Sequence, residues 1–152
     1  MQVETLSDVI DWTRAVHHNL ADCLDHCASE NDSERVRMLM DYLAAHEREL
    51  DRVLGLSKED ASQKALNTWV YDYFENAPLK PREVCAEEFR SQSTDEVLGA
   101  VMALHEQIIG LYKYLQGRAE VASTRALIDG LLSLEQHEAM RLMSQAHRLD
   151  DL

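Results

Sequence analysis

Glycine, proline and cysteine are all scarce in this 152-residue chain, at 5, 2 and 3 residues. So few turn formers exclude a sandwich or barrel of many short strands, which needs a turn signal about every 8–12 residues. Three cysteines are an odd number without the spacing of a secreted scaffold, which points to a reducing, cytoplasmic setting. Positive charge is also short: 15 Lys and Arg stand against 28 Asp and Glu, a net charge of -13. Phosphate backbones and anionic lipids are bound by basic surfaces, so no nucleic acid and no membrane is expected as a partner. No apolar run reaches the length of a transmembrane helix. Met1-Gln2-Val3-Glu4-Thr5 lacks the basic-then-apolar order of a signal peptide, and none is expected. Phosphate loops, nucleophile motifs and glycine-rich cradles are missing as well. What is present is 45% hydrophobic residues, enough for a core at this length. The expectation is one acidic, all-α domain.

Apolar residues recur at three- and four-residue spacing, the mark of amphipathic helices. Leu6, Val9, Ile10, Val16, Leu20, Leu24 and Cys27 predict a helix from about Leu6 to Ala28, capped by Thr5 or Ser7. Ser29-Glu30-Asn31-Asp32 breaks it. Asp32 or Ser33 caps a second helix, with Val36, Leu39, Met40, Leu43, Leu50, Val53 and Leu54 inward and Gly55 as its stop. Ser57-Lys58-Glu59-Asp60 reads as another helix start, leading to an end near Glu75. Pro78 and Pro81 interrupt the chain, and Glu83 to Arg90 reads as a short helix. Thr94 caps a helix carrying Val97, Leu98, Val101, Leu104, Ile108, Tyr112 and Leu115, which Gly117 ends or bends. The last stripe is Leu127, Ile128, Leu131, Leu134, Leu142, Ala146 and Leu149. The organisation is a hairpin over about 5–55, a crossover over 56–93 and a second hairpin over about 94–150. Short loops make the helices of each hairpin antiparallel neighbours. Two arrangements fit: a bundle with one long crossover, or a simple up-down bundle with a fifth helix outside.

The two hairpins superpose when the sequence is shifted so that Val9 falls on Val97, Leu20 on Ile108, Leu43 on Leu131 and Leu54 on Leu142. Any two hairpins of equal length would match core to core. The polar matches carry more information: His17 falls on His105, and Glu47 on Glu135. At about 100° per residue, His105 and Glu135 lie near the centres of their apolar arcs, and His17 and Glu47 about 50–60° off theirs. Glu138, one turn after Glu135, shares its face, and His46 flanks the stripe of the second helix. His18, Glu49, Glu106 and His137 point outward. In height the four polar residues agree to about 4–5 Å along the bundle, so four helices present them at one level.

A buried carboxylate is costly unless paired or bound to a cation. A metal removes that cost. Imidazole with carboxylate suits iron, manganese or zinc, and no thiolate stands at this level. Two other readings stay open: a metal-free network of His–Glu hydrogen bonds, or a helical phase that lets the acids reach the surface.

With two hairpins, a long crossover, pseudo-twofold repetition and His and Glu in mid-bundle, the chain resembles the ferritin-like superfamily, especially its rubrerythrin-like branch. That resemblance implies a four-helix bundle of two antiparallel hairpins joined by a long helical crossover. It also implies a di-iron centre with one Glu on each of two helices and Glu-x-x-His on the other two. Carried over by position, His17 and His105 occupy the lone-Glu places, and Glu47 and Glu135 match the first residues of the two Glu-x-x-His motifs. The second residues are Leu50 and Glu138, so neither motif is intact. His17, Glu47, His105, Glu135 and Glu138 are the candidate metal ligands, for a mono- or dinuclear site. The His-x-x-x-Glu and His-x-x-x-His spacings of hemerythrin-like bundles are absent.

The expected function is therefore a metal-binding bundle, with iron, manganese or zinc as cofactor and redox chemistry on oxygen or peroxide as the activity such a site supports. The alternative is a non-catalytic homo-oligomeric or adaptor bundle with a decayed site. In either case the expected partner is a second copy, as a homodimer or higher homo-oligomer. Cys23 and Cys27 read as small core residues. Trp69, Tyr71, Tyr73 and Phe74 read as a packed cover over the bundle, with a dimer contact as the alternative. Met38, Met40, Met102, Met140 and Met143 read as gap-fillers.

Overall fold

The computed structural model describes residues 3–70 and 93–150, with side chains through 148. Among them are five helices: α1 (Leu6–Glu30), α2 (Glu34–Asp60), α3 (Gln63–Leu66), α4 (Thr94–Arg118) and α5 (Ala122–Asp150). The expected caps are in place or one residue away. Thr5 and Asp8 form a capping box on α1, Ser33 accepts from the Val36 N–H, and Ser93 with Glu96 forms a second capping box on α4. Thr94 is thus the first residue of α4, and Ser93 its cap. Between α1 and α2, the Asn31 side chain accepts from the Ser33 N–H at 2.8 Å, which holds a connection of three residues.

The four long helices share one core cluster. α1 lies close along α2, α4 pairs with α5, and α2 also touches α4 and α5. Every residue of the first stripe is buried, as are Leu39, Met40, Leu43, Leu50 and Leu54 on α2. No helix among the described residues is long and apolar enough to cross a membrane. Cys23 and Cys27 are each 2% exposed. Cys23 is disulfide-bonded, a state that reducing surroundings disfavour.

Three expectations need correction. Gly55 does not stop α2, which continues to Asp60. A side chain at Gly55 would come within 2.9 Å of the Arg14 guanidinium, which lies across the helix there to reach Asp51 at 2.8 Å. Lys58 then bonds Asp11 at 2.8 Å, so the turns after Gly55 stay zipped to α1. Second, the helix expected to start at Ser57 and end near Glu75 is absent as such. After Asp60 the chain breaks at Ala61, makes the single turn of α3 and then runs extended. Residues there pair with the N-terminal segment: Leu6 N–H donates to Thr68 O at 2.9 Å, and Val70 N–H to Glu4 O at 2.8 Å. Trp69 alternates outward from this pairing and is 55% exposed. Tyr71, Tyr73, Phe74 and the expected Glu83–Arg90 helix lie outside the described residues. Third, Met40 fills the core at 0% exposure, but Met38, Met140 and Met143 are 53%, 71% and 41% exposed.

Gly130 sits exposed in the middle of α5, with nothing within 4 Å of where a Cβ would be. Gly130→Ala is expected to stabilise the fold by roughly 0.5–1 kcal/mol, because a helical glycine loses more backbone entropy than alanine. Gly55→Ala should gain less, since its methyl group must displace Arg14. Urea denaturation of both variants checks the order.

Candidate metal centre

Four side chains from the four long helices meet in the core at 0% exposure: His17 of α1, Glu47 of α2, His105 of α4 and Glu135 of α5. Each sits on an apolar face, so burial of its neighbours carries it inward. His17 lies between Thr13 and Leu20, Glu47 between Leu43 and Leu50, and His105 between Val101 and Ile108, all buried. The phase reading thus held for these four, and the surface alternative for the acids does not apply to Glu47 and Glu135.

The side chains alternate in a ring. His17 Nδ1 donates to Glu47 Oε2 at 2.5 Å, and its Nε2 to Glu135 Oε1 at 2.7 Å. His105 Nε2 donates to Glu47 Oε1 at 2.5 Å. The fourth side is open: His105 Nδ1 and Glu135 Oε2 stand 3.4 Å apart, and neither has a hydrogen-bond partner among the described residues. The two imidazoles are 5.3 Å apart between ring centres and tilted by 44°.

Charge compensation sets the protonation of the ring. Burial by itself pulls both imidazoles down, but the charges of Glu135 and Glu47 and the bonds to them outweigh it. His17 is raised to about 10. His105 is raised to about 9, also against burial, chiefly by the charge of Glu47, with the nearby Glu135 carboxylate and the bond to Glu47 adding to it. Burial pushes Glu47 up, yet His105 and His17 hold it at about 2. Glu135 is lowered against its burial in the same way. Metal-free, the ring is two imidazolium and two carboxylate groups of net zero charge.

Glu138 does not join the ring. It is half-buried between α2 and α5, 3.6 Å from His46 Nδ1 and 3.2 Å from Arg141. Three residues along a helix turn a side chain by about 60°, enough to aim Glu138 past the core at His46. His46 lies against Tyr42 with ring centres 4.5 Å apart and planes tilted by 50°, and the Tyr42 hydroxyl is buried without a hydrogen-bond partner among the described residues. Sequence reading missed Thr13 as a neighbour of the site. It lies one turn before His17, accepts from the Tyr112 hydroxyl at 3.0 Å and donates to Ile10 O at 2.9 Å. A polar residue on an apolar stripe was the available signal. Tyr112 was read as core, and it is fully buried.

Ligand atoms of His17, Glu47 and His105 all lie within 4.8 Å of one another. Two imidazoles and one carboxylate are a donor set that suits a transition-metal cation, and Glu135 stands on the opposite nitrogen of His17, 2.7 Å from Nε2. On the Glu135 side, His105 Nδ1 and Glu135 Oε2 are the buried polar atoms of the ring left without a hydrogen bond among the described residues. The set does not suit the two-ion centre that the family resemblance implies. Leu50 is buried and apolar at one of the expected ligand places, and Glu138 is held elsewhere.

No family model matches the chain, and no characterised protein matches it in sequence. Its structure is similar to that of a Thermotoga maritima protein provisionally named a ferritin-like diiron-carboxylate protein. The TM-score is 0.58 at 13% identity, and the match covers 94% of this chain and 95% of that one. The chain has a ferritin-like, all-helical fold.

Breaking the ring at one member should cost more than removing it whole. His17→Ala strands two buried carboxylates on one imidazolium and is expected to destabilise the metal-free protein by about 3–5 kcal/mol. Replacing all four members by Leu removes every buried charge and should recover most of that loss. The sign of the pH dependence follows from the shifts. The histidine contribution is complete below about 6.5 and is lost as pH rises through about 9 and 10. The Glu47 contribution is complete above about 4.5 and is lost as pH falls toward about 2. Urea midpoints of metal-free protein across pH check this, and the four-Leu variant should flatten both limbs.

Proposed function

We propose that the chain is a metal-binding bundle of ferritin-like type, two antiparallel hairpins joined by a crossover, holding a single transition-metal ion between His17, Glu47, His105 and Glu135. The observation that carries this reading is the convergence of His17, Glu47 and His105 donor atoms within 4.8 Å at full burial. Iron is the first candidate, with manganese or zinc accepted by the same donors. A bound iron or manganese would supply one-electron chemistry toward oxygen or peroxide, and redox activity of that kind is part of the proposal.

The residues' own part is to exchange protons for the ion. Both nitrogens of His17 face carboxylate oxygens and carry protons in the metal-free ring. An imidazole ligates only through a free lone pair, so loading must expel protons from His17 and His105. Glu47 bonds both imidazoles and keeps them at one level. The surrounding core excludes water and competing ligands. Glu138, His46 and Tyr42 form a separate polar cluster between α2 and α5, with His46 next to Glu47 in the chain and Glu138 one turn after Glu135.

Untagged protein reconstituted with ferrous, manganous or zinc ion and then desalted should retain about one ion per chain by elemental analysis. His17→Ala/His105→Ala should retain none, and failure of the unaltered protein to retain any of the three ions overturns the reading. In weakly buffered solution, uptake should release protons, and apparent affinity should rise with pH toward the histidine values of about 9 and 10.

One observation favours a second reading, a non-catalytic homo-oligomeric or adaptor bundle with a decayed site. The His–Glu ring neutralises itself and needs no ion to be buried. On that reading His17→Ala/His105→Ala, where it still folds, leaves partner binding and cellular role intact. Loss of the phenotype in a folded double variant counts against it.

A further inference from the structure

α4 and α5 pair less closely than α1 and α2, and the opening between them is a groove of about 660 Å³. Met102 and Ile109 line it from α4, and Met140 and Met143 from α5. Met140 is the most exposed large hydrophobic residue described, at 71%. Exposed apolar side chains gathered on one groove are a feature of interaction surfaces.

The outer edge of the groove is the solvent face of α4. Gly99, Ala103, Glu106, Gly110, Lys113 and Gly117 are all exposed and follow one another at alternating four- and three-residue spacing. That spacing makes a straight seam of the kind by which two helices pair. A Cβ built on Gly99, Gly110 or Gly117 would meet nothing within 4 Å, so the backbone is open to close approach from outside. The seam carries one acid and one base. Glu106 and Lys113 stand two turns apart, about 10 Å, too far to pair with each other. Neither has an ion pair among the described residues.

We propose that this face is the interface of a homodimer, in which α4 packs antiparallel against α4 of a second copy across a twofold axis opposite Ile109 and Gly110. The charges select the occupant. An antiparallel pairing about that point sets Glu106 against the partner subunit's Lys113, and Lys113 against the partner subunit's Glu106. A twofold interface requires this self-complementarity. The rest of the molecule discourages self-contact, since two copies of net charge -13 repel. Here the balance is different: the α5 wall of the groove contributes no carboxylate, and the seam is neutral. Met140 and Met143 then bury against the partner, where flexible thioether side chains adapt to the facing surface.

Sedimentation velocity on the full chain at fixed metal content tests the interface. The unaltered protein should sediment as a dimer. Glu106→Lys places like charges opposite each other twice and should weaken the dimer at least ~10-fold. Glu106→Lys/Lys113→Glu should restore it, because each new charge meets its opposite across the axis. Gly110→Leu should give a monomer whose helical circular dichroism and melting are undiminished, leucine being the better helix former. A monomer at every soluble concentration of the unaltered protein overturns the proposal. So does a dimer indifferent to both single variants, or a folded Glu106→Lys protein that the second exchange does not rescue.

Discussion

Two carboxylates lie in the centre of an apolar core at 0% exposure, and the fold around them depends on their being compensated. An isolated ionised carboxylate in such surroundings would take up a proton or unfold the site. Here each is bonded to an imidazolium, and the burial that should neutralise both kinds of group is outweighed by their mutual attraction. The ring also constrains the helices. His17 bonds Glu47 and Glu135, and His105 bonds Glu47, so α1, α2, α4 and α5 must arrive with their polar residues at one height. The core fixes which faces point inward, and the ring fixes the register in which they do so.

The same compensation defines what an ion would have to displace. Protons and a metal compete for the imidazole lone pairs, so the pKa values that hold the metal-free ring together also oppose loading. A site of this kind is sensitive to pH in both states, by opposite routes. The unbonded pair His105 Nδ1 and Glu135 Oε2 marks where the metal-free ring is least satisfied.

The two hairpins repeat each other in pattern and diverge in detail. Leu50 is buried and apolar in the first, while its counterpart Glu138 is drawn to His46 and Arg141 in the second. α1 and α2 are zipped by Arg14–Asp51 and Lys58–Asp11. α4 and α5 pair less closely, and Met140 and Met143 of α5 are exposed. The first hairpin is thus self-sufficient, and the second presents the surface assigned to a second copy.

The sequence by itself determined the four long helices, their inward faces and the level of His17, Glu47, His105 and Glu135, because all of these follow from helical periodicity and an internal repeat. Those are local properties, fixed by 3.6 residues per turn. It did not determine the fate of Gly55, which depends on an arginine from another helix, or of Glu138, which a turn of about 60° sends to a neighbour instead of the core. It could not show Met140 and Met143 to be exposed, since a stripe cannot state how far apart two helices stand. Nor could it reveal that both nitrogens of His17 are taken by carboxylates. These are matters of distance between elements far apart in the chain, and only tertiary packing sets those distances.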